Sequence, residues 1–235
     1  MVLPRISTGI KGLDKITGGG FFIGSNNMLS GGPGTGKTLI CLQYLLEGAR
    51  NGEKGLYISF EETKEELLLD AKSIKLPLEE YLKKDKILVE YYEPFKAIDL
   101  DTQLPRLVKI HKVKRIVIDS ASIFGLFLQD KYKIRKKLHT LFSTLKKLNV
   151  TTLITVESGQ DAPIDSSETG NRSSTFGVEE YISDTVLLLH YSGLGGGFDR
   201  TIQIMKMRRS NHLRGLFPMK IDGTKGIVIN PTETV

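Results

Sequence analysis

Residues 30–40 read SGGPGTGKTLI, and the first eight of these positions hold four glycines, a proline and a lysine. An apolar run at 27–30 comes before the stretch and a helical pattern at 37–51 follows it. Glycine is kept at such density where the backbone must take positive φ, or where something approaches it too closely for a Cβ. The segment therefore reads as a turn between a strand and a helix, with its amides left free to face inward. A strand, a glycine turn and a helix in that order commit the chain to β–α connectivity, which builds parallel sheets covered by helices.

The rest of the chain repeats that alternation. Short apolar runs predict strands at 55–60, 87–91, 115–118 and 151–156, and apolar spacings of three and four predict helices at 63–73, 100–111 and 131–148. In the last helix Ile134, Leu138, Leu141, Phe142, Leu145 and Leu148 share one face and leave the lysines on the other. After residue 180 the runs DTVLLLHYS, DRTIQIMKM and LFPMKIDGTKGIVIN are separated by glycine-rich turns, which predicts antiparallel strands added to the parallel core. Between them, residues 157–177 are polar and without periodicity, a length of connection that is usually functional or mobile. With 235 residues and 40% apolar content, a single α/β domain spanning 1–235 is the simplest expectation. No apolar run nears the roughly 18 residues that span a membrane, and the opening MVLPRISTGI lacks the regions of a signal peptide, so a cytoplasmic location is expected. Cys41 is the only cysteine and sits in an apolar helical pattern, as a core residue would; His111, His139, His190 and His212 are scattered without metal-ligand spacing.

The opening stretch matches G-x-x-x-x-G-K-[ST], the Walker A pattern, at Gly31, Gly36, Lys37 and Thr38, a match expected by chance in roughly 1 in 100 chains of this length. A loop that wraps a triphosphate must aim several backbone N–H groups inward, which the glycines permit. Gly31, Gly32, Pro33, Gly34, Thr35, Gly36, Lys37, Thr38 and Leu39 are the candidate nucleotide contacts, with Lys37 on the β- and γ-phosphates and Thr38 on Mg²⁺. RIVIDS places Asp119 directly after a buried-strand pattern, as expected of a Walker B carboxylate and second Mg²⁺ anchor. LYISFEET ends another strand at Glu61 and Glu62. In a parallel sheet the carboxyl ends of the strands share one edge, so Lys37, Glu61, Asp119 and Glu157 are expected to converge there. Glu61 is the candidate for polarising an attacking water, with Glu62 as its support or, alternatively, as part of the first turn of the next helix.

With these residues in view, the chain resembles the KaiC-type branch of the RecA superfamily nearly end to end. The resemblance is carried by STGIKGLDKITGGG, GGPGTGKT, SFEET, IDS, GVEEYISD and KMRRSNHLRGLFPM. It implies a RecA-like P-loop NTPase fold, with a mostly parallel central sheet flanked by helices and C-terminal antiparallel strands. It also implies ATP as ligand, a catalytic glutamate at Glu61 with Glu62 adjacent, and rings, usually hexamers, with ATP between subunits. There a K-x-R pair reaches the neighbour's γ-phosphate, which puts Lys206 and Arg208 in that role. The clock protein that names the family carries two such domains in tandem, so its second domain and clock function are not carried over. The stretch VESGQ also lacks the arginine that often follows this glutamate in close relatives.

The leading expectation is a slow Mg²⁺-dependent ATPase acting as a ring-forming regulator. One alternative is a RecA/RadA paralogue with a DNA or RecA/RadA-type protein partner; another is an ATP-switched scaffold with negligible hydrolysis. For DNA, the stretch 157–177 has the wrong sign, with four acids against one base, so the basic helix 131–148 is the better candidate. Its alternative is an ordinary solvated face.

Overall fold

The computed structural model describes residues 3–128, 130–158, 179–195 and 199–234. Its main sheet has nine strands: β3 (Asn26–Gly31), β4 (Lys54–Ser59), β5 (Ile87–Tyr91), β6 (Val113–Asp119), β7 (Thr151–Glu157), β8 (Thr185–Tyr191), β9 (Arg200–Met207), β10 (Leu216–Asp222) and β11 (Gly226–Ile229). They lie in the order β11-β10-β9-β8-β3-β7-β6-β4-β5. From β8 to β5 every pairing is parallel, and from β8 to β11 every pairing is antiparallel, as the change of texture after residue 180 predicts.

Helices cover both faces. On one side lie α2 (Lys37–Arg50), α3 (Lys64–Ser73) and α4 (Leu78–Lys83), packed through Leu42, Leu45, Leu67 and Leu78; Cys41 is fully buried among them. On the other lie α5 (Leu100–His111) and α7 (Lys131–Lys147), packed through Leu104, Val108, Ile134, Leu138 and Leu145. Strand β6 shows how period-2 alternation feeds both layers: Val117 joins the α2 side, and Ile116 and Ile118 join the α5–α7 side. Between β6 and α7 runs the short α6 (Phe124–Phe127), and α8 (Glu179–Ile182) precedes β8.

The largest fully buried side chain of this frame is a paired cation. Arg115, 1% exposed, reaches from β6 to the α2 side, where Nε donates to Glu53 Oε2 at 2.5 Å and Nη1 donates to the carbonyls of Ser7 (2.8 Å) and Tyr44 (3.0 Å). Its passage uses Gly48, where a Cβ would stand 2.5 Å from Arg115 Cδ. At the N-terminus, β1 (Arg5–Ile6) pairs with β2 (Phe21–Phe22), and between them α1 (Leu13–Thr17) buries Leu13 and Ile16 completely. Gly12 permits this docking, because a Cβ there would lie 2.1 Å from the Ile229 carbonyl oxygen.

Boundaries differ slightly from the sequence reading. The strand expected at 55–60 runs from Lys54 to Ser59, and the helix expected at 131–148 stops at Lys147. The helix expected at 63–73 begins at Lys64, because Thr63 caps it in a reciprocal capping box with Glu66. The stretch 157–177 lies outside the described residues after Ser158. No helix among the described residues is long and apolar enough to cross a membrane.

Candidate nucleotide site

Four strand ends line up along one edge of the sheet. Gly31 at the end of β3 sits opposite Glu157 of β7, and Asp119 at the end of β6 sits opposite Ser59 of β4. The glycine-rich loop leaves this edge from Gly31, where a Cβ would lie 2.8 Å from Thr35 Oγ1 and 2.9 Å from Leu189 Cβ. Gly34 (φ +71°) and Gly36 (φ +100°) supply the left-handed turns that carry the chain into α2. Thr35 Oγ1 closes the loop onto the Gly32 carbonyl at 2.8 Å, and Lys37 Nζ donates to the carbonyls of Gly31 (2.9 Å) and Gly32 (3.0 Å). The first turn of α2, which includes Thr38 and Leu39, holds no acid, so its positive end is left for an anion.

A buttress that the sequence reading did not find supports this loop. Arg200, at the start of β9, donates from Nε to the Gly34 carbonyl at 3.1 Å and lays its guanidinium 4.0 Å from the centre of the Tyr191 ring. The two positions are 166 residues apart, and no local pattern announces such a pairing.

Next to the loop, Asp119 is 5% exposed, and both of its oxygens are oriented by hydroxyl donors: Tyr57 Oη reaches Oδ2 at 2.5 Å, and Thr155 Oγ1 reaches Oδ1. Ser120 Oγ then donates to Glu61 Oε1 at 2.5 Å. Loss of water around the Glu61 carboxylate raises its pKa; Asp119 and Glu157 add to the rise, and the Ser120 hydroxyl and Lys37 oppose it. The other three groups that the sequence brings to this edge, Lys37, Asp119 and Glu157, thus all act on Glu61 electrostatically.

Glu62 lies before the Thr63 cap and outside α3, whose first-turn acids are Glu65 and Glu66. Both the Glu61 and Glu62 amides donate to Ser59 Oγ, at 3.4 and 3.0 Å, which fixes the turn. Glu62 Oε2 is buried without a hydrogen-bond partner among the described residues. Partial burial first, then Asp70, Asp119, Glu61 and Glu66, push this carboxyl up to about 7.

Lys206 and Arg208 are elsewhere. Strand β9 runs against β8, so Met207 pairs with Thr185, which in turn pairs with Asn27 near the start of β3. The K-x-R pair therefore sits at the sheet edge opposite the glycine loop. Both side chains point the same way: Lys206 Nζ donates to the carbonyls of Ser183 (2.8 Å) and Tyr181 (3.4 Å), and Arg208 Nη2 donates to Tyr181 at 2.9 Å.

A nine-stranded, mostly parallel sheet with a Walker loop leaving its central strand defines a RecA-like P-loop nucleotide-binding protein. More narrowly, a family model described as "ATPase: KaiC" matches residues 6–234, and the chain belongs to that family of ATPase domains. It is 32% identical over 98% of its length to the circadian clock oscillator protein KaiC of Parasynechococcus marenigrum, covering 46% of that protein. It is 34% identical over 99% of its length to the circadian clock protein KaiC2 of Synechocystis, covering 41% of that one. The chain thus spans less than half the length of these relatives. Among solved structures it is similar to a KaiC-like protein from the hyperthermophilic archaeon Pyrococcus horikoshii, with a TM-score of 0.83, 33% identity, and coverage of 98% of this chain and all of that one.

Proposed function

We propose that this chain is a slow Mg²⁺-dependent ATPase, one catalytic unit over 1–235, that works in a cytoplasmic ring, usually a hexamer. In it, Lys206 and Arg208 of each copy complete the site of the next. The observation that carries this reading is the separation of the two halves: the loop with Lys37, Glu61 and Asp119 occupies one sheet edge and the K-x-R pair the other. A head-to-tail contact brings them together.

In this mechanism the backbone N–H groups of residues 34–38 hold the phosphates, and Lys37 exchanges the Gly31 and Gly32 carbonyls for phosphate oxygens. Thr38 and Asp119 fit Mg²⁺, being hard oxygen donors with the Asp119 carboxylate already oriented by Tyr57 and Thr155. When held there, Mg²⁺ would supply neutralisation of the phosphate charge. Glu61, steadied by Ser120 and made more basic by its surroundings, orients the attacking water and accepts its proton. The neighbour's Arg208 and Lys206 take up charge on the transferring phosphoryl group. The test is Glu61→Gln: it should bind ATP with wild-type affinity and lose at least about a hundredfold in phosphate release, and wild-type specific activity should rise with protein concentration. Unchanged turnover in the variant removes Glu61 from the role, and a concentration-independent rate removes the shared site.

A further inference from the structure

The two helical layers carry charge in opposite ways. Over residues 61–93, which supply α3 and α4, ten Asp/Glu face six Lys/Arg. Three of the six lysines there are engaged, Lys72 and Lys83 with Glu79 and Lys84 with Glu80, and Asp85 pairs with Lys54 of β4. Over residues 99–150, which supply α5 and α7, twelve Lys/Arg face four Asp/Glu, a net +8 that exceeds the +6 of the whole chain. In this layer Lys137 pairs with Asp101 and Lys146 with Asp184. Arg106, Lys109 and Lys112 of the α5 end and Lys133, Arg135 and Lys136 of α7 are all exposed and form no ion pair among the described residues. Six unpaired cations on two packed helices make a field that a solvated helix with mixed charges does not have.

Exposed aromatic rings stand at one end of the same layer. Phe95 (57% exposed) lies in the turn that leads into α5, Phe127 (40%) at the end of α6, and Tyr132 (72%) in the first turn of α7. Single exposed rings are ordinary on a protein surface, but three at one end of one basic layer form a group that suits an interface. Flat rings beside a run of free cations match one chemistry in particular: bases stack on the rings while phosphates follow the cations. Rings and cations together serve a chain that offers both flat bases and regularly spaced phosphates, and α7 alone extends the line of charge over 17 residues, or about 25 Å.

We propose that the α5–α7 layer, entered through Phe95, Phe127 and Tyr132, binds single-stranded nucleic acid. The rings follow the carboxyl ends of β5 and β6, the edge that also carries Asp119, while Lys109 and Lys112 lie at the far end of α5; the proposal stands whether or not the chain hydrolyses ATP.

The test is fluorescence anisotropy of a labelled oligothymidylate, with an oligouridylate as second arm, titrated with the full chain at about 50 and 200 mM salt. Wild-type binding should weaken steeply with salt. K133E/R135E/K136E should lose at least tenfold at low salt, and the slope of log K against log salt should fall by about 2, three contacts at roughly 0.7 each. Tyr132→Ala, at an exposed position, should lose roughly fivefold or more through stacking. Melting temperature and ATP binding of both variants should match wild type, which separates a lost surface from a lost fold. The proposal is overturned if the oligonucleotides do not bind at low salt, or if the triple variant binds them like wild type. It is also overturned if polyglutamate or phosphatidylserine vesicles compete as well as the oligonucleotide does.

Discussion

If Arg208 acts on a neighbour, two inactive variants should repair each other. From Asn27, level with Met207, to Gly31 at the loop is four residues of β3, or about 13 Å, and Arg208 lies one residue further away. An arginine side chain is far shorter, so no Arg208 reaches the γ-phosphate held by its own loop. Arg208→Ala leaves Lys37, Asp119 and Glu61 intact but supplies no arginine; Glu61→Gln supplies the arginine but has no base. A supplied arginine accounts for about 10³–10⁵ in rate, so each variant alone should be near background. In a mixture, a site is active only when an Arg208→Ala loop faces a Glu61→Gln neighbour. With random assembly that fraction is the product of the two mole fractions, so phosphate release at fixed total protein should trace a parabola that peaks near one quarter of wild type at equal mixing. The curve does not depend on ring size. A flat line at background, with co-assembly confirmed by size, or an Arg208→Ala variant as fast as wild type, refutes the shared site.

Two further outcomes concern stability. With its folded pKa raised from 4.5 to about 7, Glu62 keeps a proton in the folded state that the unfolded chain has released, so it costs stability increasingly as pH rises through that window. The melting temperature of Glu62→Gln should therefore gain on wild type from pH 5 to pH 8, and a constant difference would contradict the burial argument. Arg115→Met removes the donor to the buried Tyr44 carbonyl and the partly buried Ser7 carbonyl and strands Glu53, which should cost about 3 kcal/mol, the low end for a broken buried pair because Glu53 stays partly exposed. A midpoint in urea unchanged from wild type would show that the network contributes little.

The parts of this molecule that were legible in the sequence are those whose cause is local. Strands β4 and β5 and helix α7 announce themselves by continuous or periodic apolar residues, and the glycine loop by its own spacing. Helix α4 went unread because only Leu78 of its six residues is buried, too little for a period to show. The β1–β2 pair is two residues on each side and depends on the docking of α1, not on strand pattern. In the site, Asp119 was readable from its strand but its orientation was not, since Tyr57 and Thr155 lie 62 and 36 residues away. Whether Glu62 belonged to a helix turned on a single cap, and the Thr63–Glu66 box decided it.

The placement of Lys206 and Arg208 bears on how copies would meet. A two-fold contact uses one patch twice, so a dimer that shared sites in this way would need the loop and the K-x-R pair within a single patch. Here they occupy opposite edges of one sheet, joined through its central strand: Gly31 of β3 carries the loop, and Asn26 at its other end accepts the Asp184 amide on its carbonyl and donates its own amide to the Asp184 carboxylate. Asp184 in turn accepts the Arg208 amide at 2.9 Å on its carbonyl, and its carboxylate accepts Lys146 at 3.0 Å and Arg209 at 3.3 Å, so the pair is anchored at that end and cannot swing toward its own loop. In the proposed shared site, two halves held apart on one rigid element would complete each other only head to tail, each copy giving its arginine in one direction and receiving one from the other. Such a contact either closes into a ring or grows into a filament. For the proposed ATPase, closure is what gives every loop a donor and leaves no end copy without one.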